Sequence, residues 1–429
     1  MKVDVILGLQ WGDEGKGKIV DVLAPDYDAV ARFQGGPNAG HTLEIEDRKY
    51  VLRSIPSGIL QEDTYNIIGS GVVIDPLLFK EEAEALMNDC TDMTNRLFIS
   101  KKAHLILPTH RLLDAAYESA KKTGRIGTTG KGIGPAYGDK IGRCGLRVGD
   151  TLEPDFHERY EAAKLRHIEI LKSLGQDCDI AELEKKWMEG IAYLQKFSLV
   201  DSEYVINDYL ADCYSVLAEG AQGTMLDVDF GSYPFVTSSN TMCGGCCTGL
   251  GISPRSIGEV YGVFKAYCTR VGAGPFPTEL HDETGETLCR LGNEYGSVTG
   301  RKRRCGWIDL VALRYAIMIN GVTCLVMTKS DVLDTFDTIK VCVAYKRGDE
   351  TFERLPYSID ESYEPVYTEI PGWKTDMSGM EKEDEFPEEF NAYLDFLENE
   401  LETPIYIVSV GPNRAQTIRR YDEEEDECS

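Results

Sequence analysis

The chain opens on an apolar run, residues 3–9 (VDVILGL). GDEGKGK (12–18) follows, and a helical pattern over residues 16–23 is stopped by Pro25. A buried strand that turns through glycines into a helix is the first half of a βαβ unit, and it commits the chain to an α/β fold. The remaining pattern agrees. Short β-rich runs occupy 29–33, 41–52, 65–68 and 97–106, and buried strands are expected at 261–264, 323–327 and 404–410. Residues 307–320 read as helix. Residues 155–174 read as an amphipathic helix, with Phe156, Tyr160, Leu165, Ile168 and Leu171 at helical spacing and Gly175 as its C-cap. Strands alternating with helices predict a central, mostly parallel sheet with helices on both faces. Residues 381–398, polar and acidic, read as surface helix and loop. The block DEEEDE (422–427) predicts a disordered acidic tail over 422–429.

The glycine loop has a chemistry of its own. Gly12, Gly15 and Gly17 let backbone N–H groups turn toward an anion, the helix N-terminus adds positive potential, and Lys16 and Lys18 supply point charges. A phosphate-binding P-loop would continue with Ser or Thr to hold Mg²⁺, but Ile19 stands there. Asp13 sits inside the loop instead. A carboxylate among phosphate-binding amides is repulsive unless it binds the metal or takes a proton from a substrate.

Further loops carry the same kind of residues. In QGGPNAGHT (34–42) lies His41, suited to donate to a transferring phosphoryl group. His104, His110, His157, His167 and His281 stand in strand, helix or charged contexts without metal spacing and read as structural. CLVMTKSD (324–331) is an apolar strand ending in Thr-Lys-x-Asp, where a fixed carboxylate can accept from guanine's N1–H and exocyclic amine. VTGRKRR (298–304) joins a backbone turn to four consecutive cations, suited to a small dicarboxylate or a phosphate. GTTGKGIGPAY (127–137) and residues 219–240 add the hydroxyls, amide and glycines of a nucleotide pocket.

Composition narrows the class. A formal charge of −27 argues against non-specific nucleic-acid binding, so an anionic ligand must meet a local cationic patch. The opening apolar run is too short for a secretory signal, and no stretch approaches twenty apolar residues, so neither export nor a membrane span is expected. Thirteen cysteines, an odd count, point to reduced thiols in the cytoplasm. Cys243, Cys246 and Cys247 (CGGCC) find no second C-x-x-C or nearby His to complete a zinc site and read as small buried thiols.

QWGDEGKGK, GGPNAGHT, GTTGKGIGPAY, GAQGTMLDVDFGSYPFVTSS, GRKRRCGW, TKSDVLD and SVGP, in that order from residue 10 to residue 412, resemble the adenylosuccinate synthetase family. The resemblance implies one large α/β domain with smaller insertions over residues 1–421. It also implies a GTP-dependent ligase of purine biosynthesis, at the first committed step to AMP, joining IMP and L-aspartate through 6-phosphoryl-IMP. Asp13 and His41 would be catalytic, and Asp13 and Gly40 would hold Mg²⁺. GTP would meet Gly12, Asp13, Glu14, Gly15, Lys16, Gly17, Lys18, Gly40, His41, Thr42, Arg303, Lys329, Ser330, Asp331, Ser409, Val410 and Gly411. IMP would meet Asp13, Asn38, Ala39, Gly40, His41, Thr129, Gln222, Thr237, Val271 and Arg301. A homodimer would add Arg143 from the neighbouring subunit to the IMP site. Aspartate would meet Val298, Thr299, Gly300, Arg301, Lys302 and Arg303; Val298 departs from the threonine expected there, which removes a hydroxyl contact. A regulatory GTP switch shares the phosphate loop and Lys-x-Asp but needs Ser or Thr after Lys18. A non-catalytic nucleotide module gives no reason for Asp13 and His41 together.

Overall fold

The computed structural model describes all residues except 39, 46–47, 88–91, 122–125, 297–299 and 421–429. Its centre is a 10-stranded sheet. From edge to edge the strands are Thr417–Arg419, Ile405–Ser409, Cys324–Thr328, Ile257–Lys265, Val3–Gly8, Val216–Glu219, Ala29–Arg32, Tyr65–Ile68, Leu97–Ser100 and Ser198–Val200. Every neighbouring pair is parallel except Ile405–Ser409 with Thr417–Arg419.

The first strand shows why its sequence is apolar on both faces. Alternate side chains of a strand point to opposite sides. Val3, Val5 and Leu7 enter one core with Phe264, Leu313, Leu325 and Tyr393. Ile6 enters another, against Ile19, Val20 and Leu23 of the helix Lys16–Leu23. Ile19, where a P-loop needs a hydroxyl, is thus a core residue. A third core packs Leu52, Phe79, Leu97, Tyr160 and Trp187 beside the far strands.

Several expectations need correcting. The run 41–52 is an antiparallel hairpin, His41–Ile45 with Arg48–Leu52. The run 97–106 divides into Leu97–Ser100 and His104–Leu105, the second in a separate small sheet. The helix expected over 307–320 starts later, as Leu310–Asn320 capped by Asp309, because Ile308–Asp309 pairs as strand. The acidic stretch 381–398 is not merely surface: Glu388–Leu401 buries Phe390, Tyr393, Leu394, Leu397 and Leu401. In Phe156–Ser173 the inner face is Phe156, Tyr160, Ala163, His167 and Leu171, which leaves Leu165 at 57% exposure. Gly175 follows that helix at φ +73°, as a left-handed C-terminal glycine should. The tail lies outside the described residues, and no described helix is long and apolar enough to cross a membrane.

This topology decides where ligands meet the chain. Val3–Gly8 is flanked by Val216–Glu219 and Ile257–Lys265, and the chain reaches strands on both sides of it. In open parallel sheets, ligands bind at the carboxyl ends of strands beside such a reversal. The loops after Gly8, Arg32, Glu219, Lys265, Thr328 and Ser409 all open at that end.

Candidate active site

Those loops enclose a cleft of about 890 Å³, lined by Asp13, Lys16, His41, Gln222, Arg303 and Lys329 among others. The first loop is wound tightly, with φ +86° at Gly12, +61° at Asp13 and +87° at Gly15. A left-handed Asp is uncommon, and such conformations gather at functional sites. The loop is braced from below by Glu14, a fully buried carboxylate. Glu14 accepts from the N–H of Gln10 at 3.1 Å and of Gly12 at 2.8 Å, and from Lys16 Nζ at 2.7 Å. Any contact of Glu14 with an anion is therefore left to its backbone.

Lys18 is spent differently. Its ammonium donates to Ser409 Oγ at 2.7 Å, Gly411 O at 2.7 Å and Gln416 O at 2.9 Å, which ties the phosphate loop's helix to the 409–416 turn. Burial pushes its pKa down to about 7, opposed by the charge of Asp331. Both loop lysines are thus hydrogen-bonded within the protein, Lys16 to a carboxylate and Lys18 to neutral oxygens.

Asp13 has 34% of its side chain exposed, and Arg303 Nε lies 2.8 Å from its Oδ2. The guanidinium N–H is not directed along that line, so the contact is a charge pairing without a formed hydrogen bond. Behind Arg303 stands Glu294, fully buried, accepting from Arg303 Nη1 at 2.6 Å and from Lys265 Nζ at 2.8 Å. Burial raises the Glu294 pKa, but Lys265 and Arg303 outweigh it and hold the carboxyl at about 2.

His41 faces the cleft from the start of its hairpin. Its Nδ1 lies 3.1 Å from Oε1 of Glu219, the fully buried last residue of the strand Val216–Glu219. Ser57 fixes the same carboxylate, through its N–H at 2.7 Å and its Oγ at 2.8 Å. Despite burial the Glu219 pKa is lowered, chiefly by His41 and then by Arg32. On the other side of the ring, a Cβ on Gly17 would stand 2.8 Å from His41 Cβ, so only glycine allows the helix to approach this closely. A carboxylate on Nδ1 leaves Nε2 as the nitrogen available to a ligand.

Gln222, at φ +59°, donates from Nε2 to Asn38 Oδ1 at 3.3 Å, while its own Oε1 is buried with no hydrogen-bond partner among the described residues. Gly40, Thr42, Thr129, Thr237 and Val271 also line the cleft. At another end Lys329 Nζ donates to Gly292 O at 2.8 Å, and Ser330 Oγ to Ser409 O at 2.9 Å. Among the described residues no donor reaches the buried Asp331 Oδ1. Burial raises the Asp331 pKa, opposed by Lys329 and Lys18. Val410 is buried beside this turn, and Gly411 lines the cleft.

Of the four consecutive cations, the structure brings only Arg303 to the cleft lining. Lys302 pairs on the surface with Glu286, and Arg304 bonds Glu279 and the carbonyls of Gly272 and Gly274. Gly300 and Arg301 are exposed, the Arg301 guanidinium next to the cleft-lining Gly127, and Arg143 is exposed and does not line the cleft. Ala39, Val298 and Thr299 lie outside the described residues.

For a metal, the cleft offers the Asp13 carboxylate, which meets Arg303 by charge, and Gly40 stands at the lining. Hard oxygen ligands suit Mg²⁺. Among the described residues one cluster has metal-ligand spacing, His110, Asp139 and His167. Its hydrogen bonds oppose a metal there. His110 Nδ1 accepts the N–H of Leu107 at 3.0 Å, which puts the ring proton on Nε2, facing Asp139. Arg166 crowds the same carboxylate oxygen at 3.0 Å. Of the three cysteines on the helix Cys243–Leu250 only Cys246 is fully buried, against the expectation for all three; Cys243 and Cys247 are half-buried, and desolvation raises the pKa of all three thiols.

Sequence reasoning missed Glu219, Ser57, Glu294 and Lys265. Glu219 left a signal, an acid ending an apolar run just before a glycine, as Asp13 does at one remove. The others left none, since their partners are distant in the chain.

The adenylosuccinate synthetase family model matches residues 5–418. Adenylosuccinate synthetase of Parabacteroides distasonis is 70% identical over 424 residues, covering 99% of this chain and 100% of that one. That of Bacteroides thetaiotaomicron is 71% identical over the same length and coverage. The solved structure of fully ligated adenylosuccinate synthetase from Plasmodium falciparum aligns with TM-score 0.93 and 40% identity, over 98% of this chain and 100% of that one. A cyanophage S-2L succinoaminodeoxyadenylate synthetase, 21% identical with TM-score 0.64 over 99% and 97% of the two chains, shares the fold.

Proposed function

The chain belongs to the adenylosuccinate synthetase family, and from that premise we propose how its residues divide the reaction. The enzyme joins IMP to L-aspartate at the expense of GTP, giving adenylosuccinate, GDP and phosphate. Asp13 takes the N1 proton of IMP, which leaves the 6-oxygen nucleophilic toward the γ-phosphoryl group of GTP. As an imidazolium, with its Nδ1–H held by Glu219, His41 donates from Nε2–H to the charge that develops there. The amine of aspartate then attacks C6 and phosphate leaves.

The observation that carries this assignment is the state of Asp13: left-handed, one-third exposed and, among the described residues, paired with Arg303 by charge without a formed hydrogen bond. A carboxylate so placed is free to exchange partners when ligands arrive. Arg303 has donors to turn toward aspartate or the γ-phosphate. The Oδ1 of Asp331, which no donor reaches among the described residues, supports guanine recognition there, since guanine offers two donors to one carboxylate. Gln222 and Asn38 support the IMP site, with Thr129, Thr237 and Val271. When bound, Mg²⁺ would be held by Asp13 and Gly40 and would neutralise phosphate charge. The single sheet running from Val3 to Arg419 supports one domain over residues 1–421. We assign the enzyme to the cytoplasm on its cysteine usage.

Arg143 belongs to a two-fold dimer in this scheme. It is exposed, it follows Ile141, which is 78% exposed, and it does not line its own cleft. Each site would combine one chain's Asp13 with the other's Arg143. The test mixes Arg143→Leu and Asp13→Ala proteins, each nearly inactive alone, under conditions of subunit exchange. Random pairing makes half the dimers mixed, with one intact site in two, so roughly a quarter of parent activity returns. Confirmed exchange without recovery refutes action in trans.

A further inference from the structure

Arg143 stands at φ +60°, a conformation that a side chain with a Cβ adopts only when its surroundings impose it. The segment that carries it closes on a single residue. The main-chain oxygen of Asp139 accepts the N–H of Cys144 at 3.0 Å and of Gly145 at 3.2 Å, so the chain leaves the helix Ile133–Ile141 and returns to it around Arg143. The carboxylate of Asp139 is fixed as well. Its Oδ2 receives His110 Nε2 at 3.1 Å, His167 Nε2 at 2.9 Å and Arg166 Nη2 at 3.0 Å, and its Oδ1 faces Cys144 Sγ at 3.5 Å. Arg166 also donates to Cys144 O at 3.1 Å, bridging the carboxylate to the far side of the turn.

Both histidines are buried, and they come from other helices, Pro108–Ala120 and Phe156–Ser173. Asp139 thereby bolts three helices together at the root of the turn. Burial alone would raise its pKa, but the two histidine donors hold the carboxyl well below the usual range. The bolt is thus a charged one. None of the chemical steps above uses it, although Asp139 and His167 reach the rim of the cleft.

We propose that Asp139, with Arg166, is the positioning residue for the arginine this chain lends to its partner: it acts through Arg143 on the neighbouring subunit's IMP and not on its own cleft. The inference rests on Arg143 acting across the two-fold axis, as proposed above.

The test uses two variants. Asp139→Asn removes the charge at the centre of the cluster. Arg166→Met removes the bridge at a side chain that is 38% exposed, and it carries the test if Asp139→Asn fails to fold. As homodimers, folded variants raise KM for IMP roughly tenfold, with KM for GTP within about twofold of the parent, the size of a lost charge-assisted hydrogen bond. Each variant is then exchanged with Asp13→Ala and assayed at IMP below the parent's KM. An effect delivered in trans leaves one sound site per mixed dimer, so activity rises to roughly a quarter of the parent's. A parent-like KM for IMP overturns the proposal. So does a mixture that stays inactive while Arg143→Leu with Asp13→Ala recovers, because Asp139 then serves its own cleft or only the fold. If the Arg143→Leu mixture also stays inactive, the trans assignment itself falls, and the inference with it.

Discussion

Asp331→Asn separates recognition from stability at one atom. Among the described residues no hydrogen bond reaches the buried Asp331 Oδ1, and burial raises the carboxyl's pKa, opposed by Lys329. The sign of the linkage follows. An acid whose folded pKa lies above its unfolded value stabilises the fold on the acid side, and that contribution is lost as pH rises through the folded pKa. At neutral pH the charged Asp331 is therefore a cost to the empty protein, offset when guanine donates to it. The amide can still accept one guanine N–H, but its own N–H₂ opposes the second donor. Losing one charged hydrogen bond costs about 1.5–3 kcal/mol, so KM for GTP should rise roughly ten- to a hundredfold. Xanthine presents an oxygen in place of the exocyclic amine and matches the amide. Steady-state assays with GTP and with xanthosine triphosphate should show the preference inverted, while the melting temperature of the empty variant at pH 7 stays level or rises. An unchanged GTP:XTP ratio refutes the recognition argument. A lower melting temperature refutes the claim that this carboxylate is a burden in the empty fold.

Other residues give independent checks. Asp13→Asn should cut turnover roughly 10²–10⁴-fold while GTP and IMP still bind by calorimetry; activity within about tenfold of the parent rules out the base role. Glu219→Gln should lower kcat at least about tenfold with little change in KM for GTP, because it loosens His41 without touching the phosphate loop; a change in KM alone would contradict this. Lys18, held at about 7 against 10.5 when unfolded, gives the fold a stability term that grows as pH rises from 7 toward 10.5. The stability of the parent minus that of Lys18→Met, from urea unfolding at a series of pH values, should therefore increase across that window; a flat difference disproves the depressed pKa.

The groups that touch ligands were legible because their signals are local. Strand, glycines, Asp13 and helix stand within a few residues of one another, and the helix appears as Lys16–Leu23 where Pro25 required it to stop. Legibility failed where a residue's fate depends on a distant partner. The periodicity of Phe156–Ser173 favoured Leu165 as core, yet His167 takes an inner place because Asp139 waits there with a carboxylate. Glu388–Leu401 carries enough acid to look like surface, but one stripe of it covers the sheet.

The same non-local partners revise the electrostatics expected of the cleft. A chain of formal charge −27 was expected to meet its anions with a cationic patch. Cations are there, but two of them lean on buried acids, Lys16 on Glu14 and Arg303 on Glu294, Glu219 holds the His41 ring in the same way, and Lys18 and Lys329 donate to neutral oxygens. Unpaired cations in one cleft would repel one another and wander; Lys16 and Arg303, paired to interior carboxylates, are fixed in place and nearly neutral as units, and Glu219 fixes the His41 ring. Attraction for phosphate then comes mainly from oriented backbone amides and from donors already aimed, with little reorganisation left for the moment of reaction. Removing one of these buried acids should therefore damage catalysis by misplacing its cation, even as it makes the cleft more positive. A variant such as Glu294→Gln that bound GTP more tightly and turned over as fast as the parent would show that net charge, and not placement, governs this site.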